Sequence, residues 1–397
     1  MSVTIHRNAN HIGGCVTEIS TEKARVFIDL GADLTNDEEK THSQINIDGL
    51  TTGNIENNVL LITHYHSSHI ERITQAKSSI PIYMGETAKK INMVKTKQLV
   101  EKKLIEPKEL EFLEKIKTFK SGDKLEFGDI KVTALMTDLS AFDKYSFLIE
   151  VQGKRIFYTG DFNLHGPRGG EMLRREFFEK HVKNIDYLIC DGINISKKEK
   201  GRTEFELIQE IKELFKNPKY KYVFILCSST NIDRIFAFYN AYNEAFNRKR
   251  PFICDDYQKE ILKIVGENHG EKSSFYNFEP NKSPAKNGFC LLIRDNVQSK
   301  NKLEKLFTEH PDKSLIIYSM WKGYLDKNNA AKNEKLIEFL KPYKYIYRHT
   351  SGNAGFEIVQ NIEKIIKPKF IISTHAENPE EFQKLFKNAL LTTHEEW

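Results

Sequence analysis

A short apolar segment followed at once by three histidines constrains this chain more than any other feature. The run NVLLIT (residues 58–63) predicts a buried strand, and His64, His66 and His69 come directly after it. In an extended chain His64 and His66 project to the same side, and a turn or helix beginning near Ser67 brings His69 back toward them. A lone histidine at a strand end is usually structural. Three converging imidazoles instead suit one or two cations, and zinc or manganese accepts imidazole better than magnesium or calcium does.

The composition predicts a globular protein without an export signal. Its 397 residues, 39% of them hydrophobic, suffice for one large domain or two smaller ones. The apolar runs fall well below the roughly 18 residues of a membrane-spanning helix, and the N-terminus lacks the layout of a secretory signal. We therefore expect a cytoplasmic protein with no membrane span. The net charge of +5 is mildly basic and indicates solubility more than a dedicated nucleic-acid-binding domain.

The five cysteines are widely scattered, and most lie in apolar runs typical of strands. They are Cys15, Cys190, Cys227, Cys254 and Cys290. Their spacing builds neither a disulfide framework nor a CxxC zinc motif. We therefore expect reduced cysteines in the core, and expect any bound metal to take its ligands from histidine and aspartate.

The order of the predicted elements indicates two kinds of segment. Before about residue 165 short strands and turns dominate, including a predicted hairpin at 145–162 around the turn QGK. From about residue 200 helices and strands alternate, which predicts an α/β unit around a parallel sheet. The polar segment 267–287 predicts a long surface loop. The strand KFIIST near the C-terminus ends at His375.

Several motifs together resemble those of the metallo-β-lactamase fold hydrolases, in the β-CASP branch that includes ribonuclease J. HYHSSH is similar to the HxHxDH motif of the family, and YTGDF resembles the strand that ends in a metal-bridging aspartate, here Asp161. YLICDG resembles the strand of an acidic motif and ends on Asp191 and Gly192. HTSGNAG (349–355) and KPKFIISTHAE (367–377) look like the family segments HxSGHA and PxHGE, and SSTNIDRIFAFYNAY is similar to the opening of the β-CASP insertion. The resemblance covers most of the chain.

The resemblance implies an α/β fold, a metallo-β-lactamase αββα sandwich with an inserted β-CASP-like α/β domain. It assigns residues 1–200 and 346–397 to the two parts of the core, and residues 201–345 to the insertion. Metal ligands carried over from the family fall into two sets that share one aspartate: His64, His66 and Asp161 for one ion, and His69, Asp161 and His375 for the other.

Catalytic and substrate-binding roles carry over in the same way. The catalytic positions are Asp161, Asp191 and His375, and the substrate-binding positions are His349, Ser351 and Asn353. Asp191 is suited to orient His375, with a strand-end acid that caps the following loop as the alternative. His165 is close enough in sequence to Asp161 to line the same cleft, although a loop histidine there is about as often idle.

Three positions depart from the family pattern. Ser68 replaces the aspartate of HxHxDH, Leu139 stands where a histidine ligand of the first metal is usual, and Asn353 replaces the second histidine of HxSGHA. Without a carboxylate at 68 and a ligand at 139, two adjacent cations repel each other with less neutralising charge. We therefore expect a degenerate site with one tight ion, or with one tight and one weak ion, zinc being favoured and manganese possible.

Two functions from different classes follow. The first is a metal-dependent phosphodiesterase, a nuclease that uses metal-activated water in the cleft between core and insertion; RNA is favoured because family members with histidine at the position of His375 tend to process RNA. The second is a catalytically degenerate nucleic-acid-binding protein or a subunit of a complex, since a catalytic constellation fails as a unit. A small-molecule ester, lactone or cyclic-nucleotide hydrolase is a third alternative, against which the insertion argues. Homo-oligomers and larger complexes both stay open.

Overall fold

The computed structural model describes residues 1–9, 13–34, 43–164, 175–195, 202–269, 279–280, 287–329, 331–376, 379–391 and 393–396. These residues confirm the mixed α/β class and build several sheets flanked by helices. The chain divides into two compact units, the first comprising Met1–Lys200 and Gly352–Trp397 and the second Gly201–Ser351. His165 and most of the predicted surface loop at 267–287 lie outside the described residues.

The first sheet of the first unit carries the strand that precedes the three histidines. In chain order its strands are β1 (Ser2–Arg7), β2 (Val16–Ser20), β3 (Arg25–Ile28), β4 (Asn58–Ile62), β5 (Ile82–Gly85), β6 (Lys117–Phe119) and β20 (His394–Glu396). They lie side by side in the order β20-β1-β2-β3-β4-β5-β6, and the pairs from β3 to β6 are parallel. All residues of β4 are buried, as expected for a strand inside a parallel region.

The second sheet of the first unit carries the acidic strand ends and His375. Its strands are β7 (Lys124–Phe127), β8 (Ile130–Met136), β9 (Tyr145–Val151), β10 (Lys154–Tyr158), β11 (Tyr187–Asp191), β18 (Phe370–Thr374) and β19 (Ala389–Leu390), in the lateral order β19-β18-β11-β10-β9-β8-β7. Strands β9 and β10 form the hairpin that the sequence predicts. Its turn residues Gln152 and Gly153 both have positive φ, which matches the right-handed twist of the flanking strands.

The two sheets of the first unit share one hydrophobic core. Ile28 and Leu61 of the first sheet belong to the same buried cluster as Phe147 and Ile189 of the second. The helices of this unit are α1 (Ser67–Ile70), α2 (Glu86–Glu101), α3 (Lys108–Glu114), α4 (Arg175–His181), α10 (Phe356–Ile366) and α11 (Pro379–Leu385). A second cluster packs α4, α10 and α11 against the second sheet, for example through Val359. The packing leaves the carboxyl ends of the parallel strands as the place where polar groups collect.

The second unit is the α/β alternation that the sequence predicts. Its strands are β12 (Tyr222–Leu226), β13 (Phe252–Cys254), β14 (Glu279–Pro280), β15 (Phe289–Ile293), β16 (Ser314–Tyr318) and β17 (Tyr345–Tyr347), all parallel and in the order β14-β13-β15-β12-β16-β17. Its helices are α5 (Glu204–Lys216), α6 (Ile232–Ala245), α7 (Asp256–His269), α8 (Val297–Glu309) and α9 (Glu334–Leu340). The unit has a hydrophobic core of its own. None of the helices in the described part of the chain has the length and hydrophobicity of a transmembrane helix.

Candidate metal centre

Four strand ends of the first unit bring the candidate ligands together. Strand β4 leads through Thr63 to His64, β10 leads through a short loop to Asp161, β11 ends on Asp191, and β18 leads to His375. The short helix α1 begins at Ser67. This helix turns the chain back, so that the His69 ring centroid lies 4.1 Å from that of His64.

Asp161 lies at the middle of the cluster. His375 Nδ1 donates to Asp161 Oδ1 over 2.8 Å, and His69 Nε2 approaches the same oxygen to 3.1 Å. The His69 and His375 ring centroids are 5.7 Å apart, and those of His64 and His66 are 4.6 Å apart. The structure thus gathers all five predicted metal-ligand positions into one region, although His64 and His375 are far apart in sequence.

The residues present fit a metal ion. The Nε2 atoms of His64 and His375 are buried and have no hydrogen-bond partner among the described residues. A buried polar atom without a partner carries a desolvation cost that a bound cation removes. Both rings are therefore suited to act as metal ligands.

Three overlapping groups of side chains each place their ligand atoms within 4.8 Å of one another. They are His64, His69 and Asp161; Asp161, Asp191 and His375; and Cys15, His69 and His375. Asp161 belongs to two of them, as a bridging carboxylate does. The groups found among the described residues differ from the two predicted sets, because His66 is in none of them and Cys15 is in one.

Asp29, a residue that the sequence analysis missed, orients His69. Its Oδ2 accepts a hydrogen bond from His69 Nδ1 over 2.7 Å, and its carboxylate also accepts from the backbone and hydroxyl of Thr63. A carboxylate that holds one imidazole nitrogen directs the other nitrogen toward a metal. Asp29 directly follows the apolar strand β3, so its place at a strand end is the sequence signal that could have identified it.

Three residues in or next to the cluster have a positive backbone φ. Asn8, Asp29 and His375 have φ values of 71°, 66° and 57°, a region that side chains other than glycine rarely enter. His375 N donates to the backbone oxygen of Asn8 over 2.9 Å, which helps to hold both residues in place. Strained residues of this kind tend to occur at functional sites.

The pKa directions follow from burial and from mutual contact. Burial and the neighbouring His69 lower the pKa of His64 well below its ordinary value, so His64 is neutral and able to bind a metal. Burial opposes ionisation of Asp161, but His375 and His69 outweigh it and hold its pKa well below the usual range. Burial and the nearby charge of Asp161 raise the pKa of Asp191 to about 7. One ionised and one titratable carboxyl therefore lie side by side.

A buried lysine interacts electrostatically with these carboxylates. The Lys144 ammonium donates to Thr137 Oγ1 over 2.6 Å, to Ser146 Oγ over 3.0 Å and to the backbone oxygen of Thr159. The side chain is inaccessible to solvent. Burial lowers the pKa of Lys144 to about 7, against the attraction of carboxylates that include Asp161. The sequence pattern gave no sign of this residue, because it stands at the start of an ordinary apolar strand.

The three positions that depart from the family pattern, Ser68, Leu139 and Asn353, are buried or hydrogen-bonded in the structure. Ser68 is buried, and its backbone oxygen accepts from Cys15 N over 3.0 Å. Leu139 is completely buried. Asn353 Nδ2 donates to Asp191 Oδ2 over 2.7 Å, so this amide contacts a predicted catalytic acid.

Two of the predicted substrate-binding residues belong to the second unit. His349 and Ser351 precede the boundary at Gly352, whereas Asn353 follows it. His349 Nδ1 lies 3.2 Å from Nη1 of the buried Arg234, which also forms an ion pair with Glu204. This contact fixes the His349 ring against Arg234 within the second unit.

The fold and the cluster together define an α/β protein with a buried histidine and aspartate site suited to a divalent metal ion. No family model matches the chain. It is 23% identical over 388 residues to ribonuclease J from two strains of Helicobacter pylori, covering 92% of this chain and 54% of each relative. Ribonuclease J from Sinorhizobium meliloti is 21% identical over 338 residues, covering 80% of this chain and 57% of the relative. The chain therefore spans about half the length of these relatives.

A solved structure resembles the whole chain. The crystal structure of a protein of unknown function from Enterococcus faecalis V583 superposes with a TM-score of 0.72 at 19% identity, covering 98% of this chain and 97% of that one. This likeness concerns the fold. The distant similarity to ribonuclease J supports the superfamily that the sequence motifs predict.

Proposed function

We propose that this protein is a metal-dependent phosphodiesterase of the metallo-β-lactamase superfamily that acts on nucleic acid, with RNA preferred over DNA. The observation that carries the proposal is the convergence of His64, His69, Asp161 and His375, with two buried imidazole nitrogens that lack a partner among the described residues. The similarity to ribonuclease J supports a nuclease over other hydrolases. On this proposal the first unit is the metallo-β-lactamase core and the second is the β-CASP-like insertion.

On this proposal different residues bind the metal, orient the carboxylates and transfer protons. His64, His69, His375 and Asp161 would hold a divalent ion, which would lower the pKa of water and polarise a phosphoryl oxygen. His375 donates to Asp161 and fixes the orientation of that carboxylate. In the metal-free protein, burial and the nearby charge of Asp161 raise the pKa of Asp191 to about 7, which makes this carboxyl group a candidate for proton transfer near neutral pH. Asn353 holds one oxygen of Asp191, and the backbone of Ile193 holds the other over 2.8 Å.

A second candidate is a nucleic-acid-binding protein or complex subunit that has lost turnover. The observation that favours it is the chemistry of the altered positions. Leu139 is an apolar, completely buried side chain where a ligand is expected, and Ser68 offers no carboxylate. Such a protein would bind the metal ion or the nucleic acid but would not cleave nucleic acid.

Metal content and cleavage of labelled RNA and DNA, measured on the same preparation, distinguish the candidates. We expect about one tightly bound ion per chain and cleavage of RNA, both lost in His69→Ala, because His69 belongs to two of the three groups of candidate ligands. His181→Ala, a histidine at the end of α4 and outside the cluster, is the matched control. Bound RNA without cleavage would support the second candidate, and equal cleavage of DNA would remove the preference for RNA. A protein that binds neither metal nor nucleic acid would overturn both.

A further inference from the structure

Cys15 lies next to His69 and to the backbone of Ser68, the position at which the family aspartate is replaced. Its side chain is buried, and its Sγ lies 3.7 Å from His69 Nε2. The backbone nitrogen of Cys15 donates a hydrogen bond to the backbone oxygen of Ser68. The thiol therefore belongs to a residue that is hydrogen-bonded to the position where the aspartate is missing. The ligand atoms of Cys15, His69 and His375 lie within 4.8 Å of one another.

The spacing of these atoms agrees with tetrahedral coordination. Zinc–sulfur and zinc–nitrogen bonds of about 2.3 Å and about 2.05 Å at a tetrahedral angle separate the two ligand atoms by about 3.6 Å. The observed separation of Cys15 Sγ from His69 Nε2 is 3.7 Å. The sulfur and the imidazole thus already stand at the distance that a shared metal requires.

A second and independent observation concerns His375, whose ligand atom lies within 4.8 Å of those of Cys15 and His69. His375 is 2% exposed, and its Nε2 has no hydrogen-bond partner among the described residues. Asn8 connects the two candidate ligands, because its side-chain amide lies 2.8 Å from Cys15 Sγ and its backbone oxygen accepts from His375 N. The Cys15 thiol and the backbone of His375 are therefore held in place before any metal binds.

We propose that Cys15 is a metal ligand that replaces the carboxylate missing at Ser68, so that Cys15, His69 and His375 form a site for a thiophilic divalent ion such as zinc. The inference rests on the metal-dependent function proposed above and identifies the ligand type. Binding breaks the S–H bond of Cys15, forms a sulfur–metal bond and releases one proton to solvent. The thiolate supplies the negative charge that Ser68 lacks. It also favours zinc over manganese and magnesium, because a soft donor selects a softer cation.

Cobalt substitution tests the ligand directly. Protein loaded with Co²⁺ should show a thiolate-to-cobalt charge-transfer band in the near ultraviolet, and Cys15→Ser should abolish it and weaken zinc binding on the order of 100-fold. Cys190→Ser, a buried cysteine on β11 that belongs to none of the three groups, should leave the band unchanged. X-ray absorption of the unaltered zinc protein should show one sulfur neighbour, so the test stands even if a variant fails to fold.

A double variant tests whether the Cys15 thiolate replaces the carboxylate that is missing at position 68. Adding Ser68→Asp to Cys15→Ser should restore zinc affinity without restoring the charge-transfer band, because the carboxylate returns where the thiolate was lost. Metal binding and RNA cleavage without any sulfur neighbour would overturn the inference and leave the proposed function intact; Cys15 would then be a small buried apolar residue. Absence of metal binding altogether would overturn both.

Discussion

Asp29 is the residue that most directly controls the direction in which His69 points. Its carboxylate accepts from His69 Nδ1 and from both the backbone and the hydroxyl of Thr63, and all three residues are completely or almost completely buried. With Nδ1 occupied, Nε2 is the nitrogen that faces Asp161 and Cys15. A neutral amide at position 29 would weaken this orientation and remove a buried negative charge.

Asp29→Asn should therefore lower metal affinity by about 10–100-fold, the usual effect of removing a carboxylate that supports a metal-binding histidine. Competition with a chromophoric zinc chelator measures the change. Asp48→Asn is the control, since the Asp48 carboxylate is exposed and pairs with Arg25 away from the cluster. Equal affinity in both variants, with the fold intact by circular dichroism, would contradict the assigned role of Asp29.

Lys144 links the charge of the site to stability. In the folded, metal-free protein its pKa is lowered by burial from 10.5 to about 7, although Asp161, Asp191, Asp29 and Asp138 all favour its charged form. Between these two values the unfolded chain holds more protons at this residue than the folded chain does. The contribution of Lys144 to the free energy of unfolding therefore rises with pH over this interval.

Replacing Lys144 by methionine should remove that rise. Urea unfolding of the chelator-treated protein at several pH values above 7 should give a slope smaller than that of the unaltered protein by up to about 1.4 kcal/mol per pH unit. Lys131→Met changes an exposed lysine on β8 and should retain the slope. Identical slopes for both variants would show that Lys144 keeps its proton throughout. The comparison uses slopes, because losing the hydrogen bonds to Thr137 and Ser146 changes the stability at every pH.

At the scale of elements, the loop after β3 holds helix α1 in place. Leu30 N donates to His69 O, and Ala32 N donates to Ser67 O, both over 2.9 Å. Gly31 lies between them, and a Cβ atom at this position would stand 1.6 Å from Ser68 O. The close approach of these two backbones therefore requires glycine.

Gly31→Ala should displace α1 and carry His69 away from Asp161. We expect a loss of about 1–3 kcal/mol in the free energy of unfolding, typical of overpacking, together with weaker metal binding. Gly355→Ala is the matched control, because a Cβ atom there meets no atom within 4 Å and the backbone φ of −92° suits alanine. Chemical denaturation and metal titration of both variants test the expectation. Unchanged zinc affinity in Gly31→Ala would contradict it.

The positions of the site residues relative to the strands explain why some of these residues could be predicted from the sequence and others could not. His64, His66 and His69 follow one apolar strand, so a local pattern revealed them, and the coarse α/β class followed from the alternation after residue 200. Asp161 and His375 required the resemblance, since nothing local connects them. Cys15 and Lys144 lacked any local sign: each stands beside apolar residues, and only the folded arrangement of both sheets brings them to the cluster.

At the scale of the whole molecule, the candidate metal ligands all belong to one unit. His64, His69, Asp161, His375 and Cys15 lie in the first unit, which has its own hydrophobic clusters, and the second unit has a separate one. A ligand that binds only the folded state stabilises it in proportion to the logarithm of its concentration. Metal should therefore stabilise the first unit directly and leave the second unit with its own stability.

Hydrogen exchange followed by mass spectrometry resolves the two units. Zinc at about 100 times its dissociation constant should add about 2.7 kcal/mol to the stability of the unit that binds it. We expect exchange to slow in peptides covering β4, β10 and β18 and to stay unchanged in peptides covering β12, β15 and β16, with a chelator reversing the effect. His69→Ala should show no slowing in either unit. Equal slowing in both units of the unaltered protein would mean that they unfold together, because the stabilisation would then be transmitted from the metal centre to a sheet that carries none of its ligands.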